Sequence, residues 1–106
     1  MKTKTELLAA LAATGTRKNT VAYRRVKLAI ESNKEGFFDG VHSTADGKTR
    51  INVVCSSGRG RFTTYVDHEF EIKNLLRALE IPFETGNFST SGRGAYGKCV
   101  YISTIQ

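Results

Sequence analysis

The chain has 106 residues, sixteen Lys and Arg against ten Asp and Glu for a formal net charge of +6, and 40% hydrophobic residues. That is one domain's worth of chain, able to bury a single core and not two, and no apolar run approaches the eighteen or so residues that a membrane span needs. Cys55 and Cys99 lack CxxC or CxxH spacing, so both are read as reduced, half-buried small hydrophobes, with no disulfide, metal site or cofactor implied.

Thr3-x-x-Glu6 is a capping box, and it opens a helix expected over 5–14 with Leu7, Leu8 and Leu11 on one side and Gly15 at the stop. Glu6 interrupts the short apolar stretch that follows Lys2 and Lys4, which argues for a folded helix of a cytoplasmic protein over a secretory leader. A polar connection, Thr16-Arg17-Lys18-Asn19, leads into a second helix expected over 20–33. Ala22, Val26, Ala29 and Ile30 recur there at helical spacing, with Tyr23 at the border and Arg24, Lys27 and Glu31 on the opposite face. Residues 1–27 hold seven basic residues against the single acid Glu6, so the whole formal excess of charge lies in this segment. Any large basic surface must therefore involve the two N-terminal helices.

After Gly36 the period changes to two. Strands are expected over 37–43, 49–55 and 61–66, joined by Ala45-Asp46-Gly47 and by Ser56-Ser57-Gly58-Arg59-Gly60. Ile51, Val53 and Cys55 share one face in this reading, as do Phe62, Thr64 and Val66. Asp67 is the expected N-cap of a third helix, Glu69 suits its first turn, and Ile72, Leu75, Leu76 and Leu79 form its apolar stripe. Pro82 disfavours helix at Ile81, so the helix ends near Glu80. Two last strands are expected over 81–85 and 98–104, around a twelve-residue loop, 86–97, that is mobile when nothing is bound. The order ααβββαββ gives an α+β protein of one domain: an antiparallel sheet with helices packed on one face. Residues 1–34 form its basic two-helix segment, and 36–106 its meander, helix and C-terminal hairpin.

Ser57-Gly58-Arg59-Gly60 returns as Ser91-Gly92-Arg93-Gly94, each copy followed by an aromatic, Phe62 or Tyr96. Glycines around an arginine let the backbone turn tightly while presenting a fixed charge that forks onto phosphate or carboxylate. If both hairpins share one sheet, their tips emerge at one edge and frame one site. Phe62 is assigned by parity to the core face, which leaves Tyr65 and Tyr96 as the exposed rings. The binding residues are accordingly Arg59, Arg61, Tyr65, Arg93, Tyr96 and Lys98, with Arg17, Lys18, Arg24 and Lys27 from the basic helices. Arginine beside an aromatic is the equipment of single-stranded nucleic-acid binding, where stacking adds about 1–3 kcal/mol per base.

Catalytic chemistry is not indicated. His42 and His68 stand apart, Asp67-His68-Glu69 reads as a charged helix start, and neither glycine motif is followed by Gly-Lys-Ser/Thr. Gly92-x-Gly94-x-x-Gly97 has dinucleotide spacing but precedes a strand, which removes the helix dipole that a pyrophosphate needs. The expectation is a small basic non-enzymatic accessory protein that contacts nucleic-acid backbone, DNA or RNA, without strong sequence preference. The alternative is an inhibitor or adaptor that docks on an acidic surface of a partner protein or ribonucleoprotein, in the manner of proteins that viruses and mobile elements turn against host machinery. A third reading captures a small phosphorylated ligand between the two loops. No membrane partner is expected, and a homodimer is compatible with the chain.

Overall fold

A computed structural model of the chain describes residues 2–31, 36–38, 40–43, 46–59, 62–90 and 95–105; of these, 36–38, 55–59, 62–66, 89, 90, 95 and 96 are described at the backbone alone. The elements are α1 (Lys4–Ala13), α2 (Val21–Glu31), β1 (Gly36–Phe38), β2 (Val41–Ser43), β3 (Lys48–Arg59), β4 (Phe62–Asp67), α3 (Glu69–Ala78), β5 (Glu84–Thr90) and β6 (Ala95–Ser103).

Local chemistry accounts for the helix ends. At α1 the capping box closes: the Glu6 N–H donates to Thr3 Oγ1 at 3.1 Å and the Thr3 N–H to Glu6 Oε1 at 3.3 Å. Thr20 caps α2, its hydroxyl accepting from the Tyr23 N–H at 3.3 Å; the expected C-terminal turn to Asn33 lies outside the described residues. His68 is the N-cap of α3 by backbone, while the Asp67 carboxylate supplies the hydrogen bond, accepting from the Glu69 N–H at 3.0 Å. At its other end Glu80 takes φ +58, and the Ile81 N–H reaches back to the Leu76 carbonyl at 2.9 Å. That is a Schellman stop built without glycine.

All strand pairs are antiparallel, in the order β1-β2-β3-β6-β5, and β4 joins the edge of β3 that β2 also occupies. β2 pairs with Thr49–Ile51 of β3 and β4 with Val54–Arg59. The helices cover one face. Leu7 and Leu11 of α1, Ala22, Tyr23, Val26, Ala29 and Ile30 of α2, and Ile72, Leu75 and Leu76 of α3 join Val41, Ile51, Val100 and Ile102 of the sheet in one core. The α+β class and the one-sided helical layer are as expected from the sequence. Tyr23, read as a border residue, is 5% exposed and belongs to the core.

Three sequence expectations are corrected. The strand expected over 37–43 is a tight β1–β2 hairpin that turns at Gly40, whose φ of +85 no β-branched residue tolerates. Both expected loops are mostly strand: Ser56–Arg59 continue β3, Gly86–Thr90 continue β5 and Ala95–Gly97 begin β6. A polar, glycine-containing segment suits Gly86–Thr90 because β5 is a sheet edge, and in Ser56–Arg59 and Ala95–Gly97 pairing on the neighbouring strands overrides residue type. Third, the β3–β6 register shifts between Asn52 and Val54. Before this bulge Ile51 pairs with Val100 on the helix side, and after it Val54 pairs with Lys98. The alternation is thereby reversed, and Cys55, opposite Gly97, does not continue the Ile51 row.

Arg25 fastens α2 to the bulge. Its guanidinium donates to the Asn52 carbonyl at 2.7 Å, while the Asn52 N–H bonds the Gly40 carbonyl at 2.9 Å and the His68 N–H the Val53 carbonyl at 2.7 Å. These bonds serve the backbone groups where β2 gives way to β4.

Candidate functional site

The register decides where the two Gly-Arg-Gly hairpins meet. The last rung of β3–β4 is Arg59–Phe62, the last of β5–β6 is Thr90–Ala95, and β3 pairs directly with β6. Both hairpins therefore turn at the same end of the sheet. Ser56 lies opposite Tyr65 on one side and Tyr96 on the other, so the two tyrosines occupy one lateral row, with Ser89 beyond Tyr96. Arg61, Arg93 and the rest of Gly60–Arg61 and Ser91–Gly94 lie outside the described residues, and Arg59, Tyr65 and Tyr96 are placed here by backbone position.

By the reversed alternation this tyrosine row belongs to the helix-side face, two rungs beyond Val54 and Lys98. The Arg59–Phe62 rung falls on the other face. Phe62 thus leaves the core face to which parity without a bulge assigns it. Lys98 sits beside the start of α3, its Nζ 4.0 Å from Glu69 Oε1, and Lys73 meets Glu69 Oε2 at 2.9 Å.

The basic segment also leads toward this end. Lys4, at the start of α1, donates to the Glu31 carbonyl at the end of α2 (3.2 Å), while Arg25, in the first half of α2, reaches the bulge. Because Gly36 pairs with Ser43 and Ser43 with Thr49, the chain leaving α2 enters the sheet at the end remote from the hairpins. α2 therefore starts on the hairpin side of its own end, with exposed Arg17, Lys18 and Arg24 at or before its start and Arg25 level with the bulge at mid-sheet. Its first turn holds no acid, unlike that of α3 with Glu69 and Glu71. The start of α2 is the more anion-attracting of the two. Lys27 is separate, 3.9 Å from Glu31 one turn on. Arg25 is half-buried and turns inward to the bulge.

The residues that sequence reasoning missed lie on the face without helices. His42, Arg50, Tyr101 and Glu84 form one lateral row across β2, β3, β6 and β5, and Asn52, Cys99 and Gly86 form the next. Arg50 Cζ stands 5.3 Å from the centroid of the Phe88 ring, a cation–π pair. The Tyr101 ring lies against Gly86, where an added Cβ meets Tyr101 Cε2 at 2.6 Å. Hydrogen bonding with the Cys99 thiol, together with burial, raises the Tyr101 pKa above its ordinary value, and the Arg50 guanidinium opposes that shift. Cys99 is a buried free thiol. Arg50 Nε and Asn52 Oδ1 are buried polar atoms with no hydrogen-bond partner among the described residues. Arg50 was legible in the alternation of Arg50 and Asn52 with Ile51, while Phe88 was hidden by its reading as loop.

A cavity of about 610 Å³ lies away from the hairpins, between α1, the end of α3 and the last residues of the chain. Leu7, Leu79, Ile81, Pro82 and Ile105 line it, and Lys2 is offset there by Glu6 and Glu80. That lining does not suit a phosphate. No described helix is long and apolar enough to cross a membrane. The chain matches no family model, no curated protein and no solved structure.

Proposed function

We propose that the protein is a non-enzymatic nucleic-acid-binding accessory protein of the cytoplasm, contacting phosphate backbone at the end of the sheet where its two Gly-Arg-Gly hairpins turn. The observation that carries this reading is convergence: Arg59 and the Tyr65–Ser56–Tyr96 row lie toward the one end of the sheet at which both Gly-Arg-Gly hairpins turn. Arginines fix a phosphate backbone without reading sequence, and aromatic rings accept unpaired bases of any kind. The buried free thiol of Cys99 suits a reducing compartment.

Fluorescence anisotropy with labelled single-stranded and duplex DNA and RNA tests the proposal. Binding that weakens with salt supports it, and the absence of binding to all four near physiological salt refutes it.

A second reading, docking on a partner protein, draws support from Phe70. It is 73% exposed on the first turn of α3, a large apolar side chain beside the Lys98–Glu69 pair. Aromatic and arginine residues are also the anchors of protein interfaces. A stoichiometric protein partner that survives nuclease and is lost with Phe70→Ser favours this reading over the first.

A further inference from the structure

We infer that the helix-free face of the sheet is a stacking platform for the unpaired bases of a single-stranded nucleic acid, a role that rests on the nucleic-acid reading and extends it from the hairpin end onto the open face. Two flat groups are held there by contacts that leave them half-exposed. The Arg50 guanidinium is braced over the Phe88 ring, and the Tyr101 ring is braced against the Gly86 backbone, which only a residue without Cβ permits. Guanidinium planes and aromatic rings are the two surfaces on which proteins stack unpaired bases. Bases within a duplex are already stacked on one another and offer neither face. The platform therefore selects single strands.

Charge sets the path. Arg50 lies on the central strand β3, whereas Glu84 closes the same row at the outer strand β5, where it repels a phosphate backbone. A bound strand accordingly follows β3 and β6 along their length instead of crossing to β5. From the Arg50 row to the Arg59–Phe62 rung the sheet runs roughly 25–30 Å, a length that suits a site of about four nucleotides or more. Asn52 is 7% exposed with an unpartnered Oδ1, one row from Arg50. An amide acceptor in that position is available to the edge of a base that displaces the side chains around it.

The test is anisotropy with eight-nucleotide oligo-dT and oligo-U and with a hairpin duplex, at one salt concentration. Arg50→Lys keeps the charge and removes the plane; Tyr101→Leu removes the ring and keeps apolar bulk; Tyr101→Phe keeps the ring. The expected result is a loss of about tenfold or more in single-strand affinity for the first two variants, none for Tyr101→Phe, and unchanged duplex binding throughout. Circular dichroism checks that each variant is folded, and if Tyr101→Leu is not, Arg50→Lys alone decides. Wild-type-like single-strand binding by folded Arg50→Lys, or wild-type binding to duplex as tight as to single strands, overturns the platform while leaving nucleic-acid binding intact. No binding of any oligonucleotide by the wild type overturns both.

Discussion

Glu80 holds a left-handed backbone, φ +58, that glycine occupies without steric cost. The conformation is imposed by the Schellman bond from Ile81 to Leu76 and by Pro82 close behind. Glu80→Gly is therefore expected to stabilise the protein by about 0.5–1 kcal/mol, the left-handed strain relieved less the extra chain entropy of glycine. A urea denaturation midpoint that falls instead contradicts this account of the stop. Gly40 is the opposite case. An added Cβ meets Arg25 Nε at 2.6 Å at a φ of +85, so Gly40→Ala disturbs both the turn and the guanidinium that serves Asn52. A loss of about 1–3 kcal/mol is expected in the same measurement. Tyr101 titrates late. Its raised pKa means that the fold favours the neutral phenol, a contribution that is complete below the unfolded value of about 10 and is lost as pH rises through the folded value. Ultraviolet titration of tyrosinate is expected to show a late step that Tyr101→Phe removes; an unchanged curve in that variant contradicts the assignment.

At the scale of elements, helices were the legible part of the chain because their signals are local. The capping box, the Leu75–Leu76 stripe and Pro82 each act within a turn or two of the residue they govern, and each element they define lies within a residue or two of its expected position. Strands failed where the deciding contact was remote. Nothing near Gly86–Thr90 announces a strand; it is one because β6 pairs with it along five rungs. The bulge was missed for a related reason: the Val53-Val54 doublet interrupts the alternation, but only the pairing to β6 shows that an extra residue sits there. Its consequence for the site is large. One residue of slip put Phe62 and Arg59 on the face of Arg50 and set Tyr65 and Tyr96 on the other. The mobile loop expected over 86–97 also falls away, because strand fills most of it. What remains is backbone position: β3–β4 and β5–β6 both end at one end of the sheet.

At the scale of the whole molecule, most of the formal excess of charge in residues 1–27 stays unneutralised. Lys27 meets the Glu31 carboxylate in an exposed pair, whereas Lys4 and Arg25 donate to the main-chain carbonyls of Glu31 and Asn52 and keep their charge; Arg17, Lys18 and Arg24 are exposed at or before the start of α2. On the proposed function, long-range attraction of a polyanion and short-range stacking are separable: the first is assigned to the basic residues of α2, the second to rings and guanidinium planes of the sheet. Salt screens the first and hardly touches the second. The most direct measurement is the slope of log affinity against log salt for a single-stranded oligonucleotide, in the wild type and in the Arg17→Gln, Lys18→Gln, Arg24→Gln variant. About four phosphate contacts give a wild-type slope near −3, and removing three of the cations lowers its magnitude by about 2. A flat wild-type response, or a variant whose slope equals that of the wild type, contradicts phosphate binding at the hairpin end.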